Sequence, residues 1–429
     1  MDLIIRNGTV VSTRSVRKAD VFVRDGKIAE VGRVRGGKDV PSVDAAGLLV
    51  MPASVDIHTH GGMLFDLTGG EYDVAKGEFV ASNEGFRRGI PRVMKSFARH
   101  GVGRALLATV AAPEEILERS LAHVADYVES AANGVEGTRL EGTNLEGTFL
   151  MRPERAGAQN PLNFRKPDRA IVDRLQRAAR GTMRYVNLVP DYGKPSEDLT
   201  RYMTRRGILV GAGHSACDAD VAARCRKAGL RVCVHFLNGA LGTSFKPFGG
   251  GNMVEAVLRD PEWYAELICD GWHVAPGYVM DTIARKGLDR IVLVTDAMFL
   301  TDAKGVTEFT VGGRQGEVHS SGQFLQVKGD SQTLFGSLLH MDHAIANVLN
   351  WTTAGGEGIW ATHKALRLEE ALTGLARASA ANPAMLLGLN CGDIAPGKSA
   401  DITLARLSGK AGAYKYQVKA TYVAGRKVS

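Results

Sequence analysis

Cysteine is scarce in this chain and never spaced for pairing. Five residues (Cys217, Cys225, Cys233, Cys269 and Cys391) are scattered over 429 positions, odd in number and without a Cys-x-x-Cys motif. That argues against a disulfide framework and predicts reduced thiols in a cytoplasmic protein. Long apolar runs are missing too: no stretch approaches the roughly 20 residues of a membrane span. The opening Met1–Gly8 lacks the charged-then-apolar layout of a signal peptide. Nor is there a basic tract with interleaved aromatics, as a nucleic-acid groove needs; Arg87-Arg88 and Arg205-Arg206 read as solvated helix faces. Internal repeats and low-complexity tracts are also lacking.

What remains is an ordinary soluble composition, 45% apolar and 23% charged. The length suits one large domain with a smaller one. A net charge of +7 is compatible with an anionic substrate, and equally with scattered surface lysine and arginine.

Both ends of the chain have a strand-and-turn texture. Leu3–Arg6 and Thr9–Val11 flank Asn7-Gly8, and Asp20–Val23 and Lys27–Val31 flank Asp25-Gly26. Such dipeptides between alternating apolar runs signal hairpins. Asp401–Leu404 and Thr421–Gly425 read the same way. The expectation is a small β-sandwich domain from residues 1–53 and 396–429.

Residues 54–395 alternate differently. Strand-like runs at Ser54–His58, Arg104–Val110, Thr143–Phe149, Tyr185–Val189, Ile208–Gly213, Val232–Phe236, Glu266–Asp270 and Ile291–Thr295 are separated by amphipathic stretches such as Pro113–Ser130 and Ala219–Ala228. Eight β-then-α units predict an α/β fold, a (β/α)8 TIM barrel with its site at the C-terminal ends of the strands.

Chemistry-bearing residues recur at those ends. His58 and His60 in Asp56-Ile57-His58-Thr59-His60-Gly61-Gly62 lie two apart, on one face of an extended strand. Glu146 falls in the third run, His214 after the fifth, His235 in the sixth, His273 after the seventh and Asp296 after the eighth. Each alone reads as readily as a packed or capping residue. A barrel mouth brings them together, and imidazoles with carboxylates predict a divalent metal centre.

With these motifs assembled, the chain resembles the amidohydrolase superfamily and, within it, the N-acetylglucosamine-6-phosphate deacetylases. The likeness also covers Leu145-Glu146-Gly147, Gly213-His214-Ser215, His235-Phe236-Leu237-Asn238, Asp270–Val274, Val294–Ala297, Phe335–Leu338 and Gly392–Asp401. It implies metal-dependent hydrolysis of an N-acetyl amino sugar, releasing acetate and the free amine. Glu146, His214 and His235 would hold one ion, and His58 and His60 a second, with Glu146 and Asp296 shared; the resemblance equally admits catalysis by one ion. Zinc is the first choice; iron, manganese or cobalt suit the same donors. Asp296 would be the general base and acid, and His273 would orient the substrate. A homodimer acting on a small molecule, with no nucleic acid or membrane partner, is the implied setting.

Several positions depart from the family. Strand four, Tyr185–Val189, has no lysine to carboxylate, which leaves Glu146 as the bridging carboxylate. Gln159 stands where the family has a histidine near the acyl group. Asn238-Gly239-Ala240 replaces Asn-Ala-Met, and Lys246 is the nearest cation where an arginine should grip the phosphate. Phe335 replaces a small residue over the acyl end. Trp272 reads as a pocket wall or as packing, and Cys217 as a small buried apolar residue. These departures keep alive an N-acyl-D-amino acid or cyclic amide as substrate; the third reading, a non-catalytic barrel, conflicts with the full ligand set.

Overall fold

The computed structural model describes residues 2–34, 39–238 and 251–429. Eight parallel strands form the central sheet: β1 (Ser54–Thr59), β2 (Val102–Ala108), β3 (Arg139–Phe149), β4 (Met183–Leu188), β5 (Leu209–Ala212), β6 (Val232–Cys233), β7 (Tyr264–Ile268) and β8 (Ile291–Val294). They are hydrogen-bonded in chain order. The barrel closes where the chain leaving β8 meets β1. The Asp296 N–H donates to the His58 carbonyl at 2.8 Å, and Thr295 Oγ1 donates to Asp56 Oδ2 at 2.6 Å. The expected TIM barrel is therefore present.

Every residue of β1, β5, β7 and β8 is buried, as in a parallel sheet covered on both faces. The cover is a ring of helices: α1 (Asn83–Arg99), α2 (Glu114–Glu129), α3 (Arg169–Ala178), α4 (Lys194–Thr204), α5 (Ala219–Ala228), α6 (Met253–Arg259), α7 (Pro276–Lys286) and α8 (Met341–Ala354). Their starts are chemically specified. The side chains of Ser82, Asp168 and Asp218 accept from N–H groups of the first turn, and Asn252 and Glu255 form a reciprocal capping box. In α2, Leu117, Leu121 and Val124 recur at helical spacing and face the barrel. Each such fully buried aliphatic side chain contributes about 1.5–3 kcal/mol.

The two ends of the chain share one eight-stranded sheet. Leu49–Pro52 pairs antiparallel with Ile402–Ser408, and its neighbour Leu3–Val11 carries Val16–Arg24 and Lys27–Gly32. Leu3, Val21, Ile28, Ile402 and Tyr422 cluster inside it. The hairpin expected at Asp25-Gly26 is there, with Arg24 opposite Lys27. Asn7-Gly8 is not a hairpin turn. It is a bulge in a continuous strand, because Asn7 is held by Asp20 and Asp44, and Gly8 lies against Val50 where a Cβ would stand 2.3 Å from a methyl group.

Two antiparallel insertions flank the mouth of the barrel, within residues Gly61–Val80 and Glu308–Leu334. The second is a four-stranded meander.

Candidate metal centre

The barrel ends are shaped so that side chains turn inward. His214, His235 and Asp296 all have positive φ, at 56°, 32° and 51°. Such backbone costs about 1–3 kcal/mol per residue and persists only where surrounding bonds fix it. Here they do. The Gly213 N–H donates to Asn187 Oδ1 at 3.0 Å, the His235 N–H to Glu266 Oε2 at 3.1 Å, and the Asp296 N–H to His58. The strand expected over Val232–Phe236 ends at Cys233 for this reason, so His235 projects from a turn. Glu146 is aimed by a different device. The β3–β4 register shifts between Leu145 and Phe149, and Gly147 turns at φ 87°, where a Cβ would lie 2.3 Å from the Ala111 nitrogen.

These ends bring the six expected ligands into one buried cluster, in two overlapping groups. His60 Nε2 lies 3.1 Å from Asp296 Oδ1, and His58 Nε2 3.8 Å from the same oxygen. Glu146 Oε1 lies 3.1 Å from His235 Nε2 and 3.4 Å from His214 Nε2. The other carboxylate oxygen of Glu146 reaches back to His60 and His58, at 3.4 and 3.7 Å. Glu146 thus stands between the groups. Burial alone pushes its carboxyl up, yet His58, His214 and His235 hold it well below the usual range. Burial lowers the His235 imidazole and favours its neutral, lone-pair-bearing form.

The orphaned atoms test whether a cation fits. His58 Nδ1 sits 3.0 Å from Glu266 Oε2, which selects the tautomer with hydrogen on Nδ1. Its Nε2 is buried without a hydrogen-bond partner and faces the Glu146 and Asp296 carboxylates, which with Glu266 draw positive charge to this ring. An unpartnered nitrogen held among acceptors calls for a positive centre, and a divalent ion suits this nitrogen and oxygen set. The donors fit the group the motif implied.

The substrate-side residues divide. A cavity of about 310 Å³ opens over the cluster, and Gln159, Asn238 and Phe335 line it. Gln159 is bound to the centre itself: Nε2 donates to Glu146 Oε2 at 2.8 Å and Oε1 accepts from the Ala111 N–H at 2.7 Å. Phe335 is buried edge-to-face against Phe309 of the meander. His273 is buried, with Nδ1 2.6 Å from Asp270 and Nε2 free of partners. Gly239 and Lys246 lie outside the described residues. Trp272 is no pocket wall; it is half exposed and tilts against Phe324. Cys217 is buried just ahead of α5 and outside the ligand cluster.

Sequence reading missed three contributors. Glu266 in β7 is fully buried and accepts from His58, the His235 N–H and the Tyr185 hydroxyl, the last at 2.9 Å. A lone acidic residue inside an otherwise apolar buried strand was the available signal. Arg155 lines the cavity, its Nε buried without a partner and its carbonyl 2.8 Å from His214 Nδ1. The meander that brings Phe335 to the cavity was announced by Gly312-Gly313, a hairpin dipeptide between alternating runs.

Comparison with known proteins agrees with this geometry. Over 384 residues the chain is 29% identical to the N-acetylgalactosamine-6-phosphate deacetylase of Escherichia coli O157:H7, covering 89% of this chain and 88% of that one. It is 27% identical over 360 residues to the N-acetylglucosamine-6-phosphate deacetylase of Lysinibacillus sphaericus, covering 81% and 83%. The crystal structure of N-acetyl-D-glucosamine-6-phosphate deacetylase from Mycobacterium smegmatis superposes over both full chains, with a TM-score of 0.80 at 24% identity. A family model, that of the amidohydrolase family, matches residues 49–428. Barrel, buried imidazole–carboxylate cluster and family match coincide, and the chain belongs to the amidohydrolase family.

Proposed function

We propose that this protein is a metal-dependent deacetylase of N-acetylhexosamine 6-phosphates, releasing acetate and the free amino sugar phosphate. The observation that carries the reading is the His58–His60–Asp296 and Glu146–His214–His235 pair of ligand groups at the floor of a cavity also lined by Arg155, whose buried Nε has no partner among the described residues.

His58, His60 and Asp296 would hold one ion and Glu146, His214 and His235 another, with Glu146 between them; zinc is the first choice. When bound, such ions polarise the acyl carbonyl and make hydroxide available at neutral pH. Asp296 handles the proton. Burial pushes its carboxyl up, but the bond from His60 and the imidazole charges hold it low, so it meets water as a carboxylate able to accept. The proton it takes returns to the leaving nitrogen, without which the amine would be a poor leaving group. His273, oriented by Asp270, presents its free Nε2 as a donor to a sugar hydroxyl or to the developing oxyanion. Phe335, packed edge-to-face on Phe309, would close the acyl end of the cavity.

Among the described residues lining the cavity, Arg155 is the single lysine or arginine, and its planar fork suits a phosphate ester. It favours an anionic substrate over a neutral cyclic amide; an N-acyl-D-amino acid would offer the same fork a carboxylate, and it is the likeness to sugar-phosphate deacetylases that favours the phosphorylated sugar. Gln159, tied to Glu146, fixes that carboxylate from the substrate side. The five free, buried cysteines suit a reducing compartment, and we take the protein as cytoplasmic and homodimeric. The test is acetate release from N-acetylglucosamine 6-phosphate, N-acetylgalactosamine 6-phosphate, their unphosphorylated sugars and an N-acetyl-D-amino acid. The reading expects turnover confined to the phosphorylated sugars; turnover of the amino acid alone would replace it.

A further inference from the structure

A second imidazole–carboxylate cluster lies on the outside of the barrel, away from the cavity. His100 caps the C-terminus of α1, Asp302 lies on the segment leaving Asp296, and His340 is the N-cap of α8. Three separate elements thus deliver one donor atom each, and these atoms converge. Asp302 Oδ1 is 3.1 Å from His340 Nε2, and Asp302 Oδ2 is 3.5 Å from His100 Nε2. Those separations are close to the 3.1 and 3.4 Å that Glu146 keeps from His235 and His214, although Glu146 meets both rings through one oxygen and Asp302 through two.

The surroundings follow the pattern of a ligand set. His100 Nδ1 lies 3.1 Å from Asp342 Oδ1, which draws a hydrogen to Nδ1 and turns Nε2 toward Asp302; the two carboxylates favour the protonated ring, so an ion binds there by displacing the Nε2 proton. Metal-binding histidines are oriented in this way by a carboxylate on the far ring nitrogen. Ser96 Oγ donates to Asp302 Oδ2, which fixes that carboxylate in turn. Asp302 itself is held at φ 61°. The His100 and His340 rings stack face to face at 3.6 Å, an arrangement that would set two imidazolium charges against each other. Arg99 reaches the same carboxylate at 3.6 Å, but its side chain is 55% exposed and able to swing away.

We propose that His100, Asp302 and His340 form a peripheral binding site for a zinc-class divalent ion, completed by water, which ties α1, α8 and the segment that carries Asp296. Two imidazoles and one carboxylate are a donor set that such ions favour over magnesium or calcium. Binding requires the stacked rings to splay from the 8° at which they lie, so that both Nε2 lone pairs meet one point.

Metal counting tests this independently of which amide the enzyme cuts. The full-length protein is loaded with zinc, desalted, and analysed by mass spectrometry for zinc per chain. The wild type should carry one ion more than Asp302→Asn and one more than the His100→Asn/His340→Gln double variant. Equal zinc content in all three overturns the site. Should the variants fail to fold, zinc-edge anomalous diffraction from wild-type crystals decides. A peak between His100, Asp302 and His340 supports the proposal, and none there at a zinc level that fills the Glu146 centre refutes it.

Discussion

Replacing Glu266 with glutamine should loosen the metal centre without unfolding the barrel. The side chain is fully buried and touches no cavity surface, so its effect must pass through its partners. Three groups donate to it: His58 Nδ1 at 3.0 Å, the Tyr185 hydroxyl at 2.9 Å and the His235 N–H at 3.1 Å. Glutamine keeps the shape and one acceptor oxygen. It removes the charge that makes His58 Nε2 a strong donor, and exchanges charge-assisted bonds for neutral ones worth roughly half as much. A carboxylate behind a ligating histidine typically contributes about 10–100-fold in ion affinity, or about 1.4–2.7 kcal/mol. The assay is chelator competition on the zinc-loaded protein, with circular dichroism and melting temperature to establish folding. Weakening of the tighter-held or the looser-held ion by about 10–100-fold is expected, with most turnover restored by excess zinc. An affinity within about twofold of wild type would refute the reasoning, because Glu266 would then not set the basicity of His58.

Three further outcomes are expected. Asp296→Asn should keep the ion of the Glu146, His214 and His235 group, measured by mass spectrometry, and lose at least about 10²–10⁴ of kcat, because a positioned proton carrier is worth that much. Arg155→Ala should raise KM for an N-acetylhexosamine 6-phosphate by about 10–100-fold, the value of a charge-assisted contact, and leave KM for an unphosphorylated sugar nearly unchanged. Asp281 of α7 offers a pH test away from the centre. Burial pushes its carboxyl up, but the N–H groups of Trp360 and Ile359 and the His363 ring hold it net low. Its stabilisation is then present in full above the unfolded value of about 4 and is lost as pH falls through the lower folded value. Asp281→Asn should be about 2–3 kcal/mol less stable than wild type at pH 7 in denaturant unfolding, the gap closing as pH falls through the lowered range of the folded carboxyl.

The barrel and its six candidate ligands were legible because their signals are local and repeat. Strand runs of four to six buried residues alternate with capped amphipathic helices, and His58, His60, His214 and Asp296 follow the strands at or just past their ends. His235 was found in the right place for a slightly wrong reason: it sits beyond β6, in a turn whose positive φ no residue pattern announces. Asn7-Gly8 misled because the dipeptide favours a bulge as readily as a turn, and the choice is made by Asp20, Asp44 and Val50 from other strands. Glu266 and Arg155 were passed over for a related cause. Their importance rests on partners 81 residues away in the chain for Tyr185 and 59 for His214, which only the closed barrel brings near. Gln159 and Phe335, which depart from the family's pattern, both line the cavity, but Gln159 turns inward to Glu146, which no sequence pattern announced.

The central claim is that the Glu146-linked centre hydrolyses the amide of an N-acetylhexosamine 6-phosphate. The most direct measurement follows acetate release from N-acetylglucosamine 6-phosphate and N-acetylgalactosamine 6-phosphate by the purified protein, first stripped with chelator and then titrated with zinc. Release that is absent in the stripped protein and returns as the Glu146 and His58 groups fill is the predicted result. A zinc-replete, folded protein that frees no acetate from either sugar phosphate would contradict it.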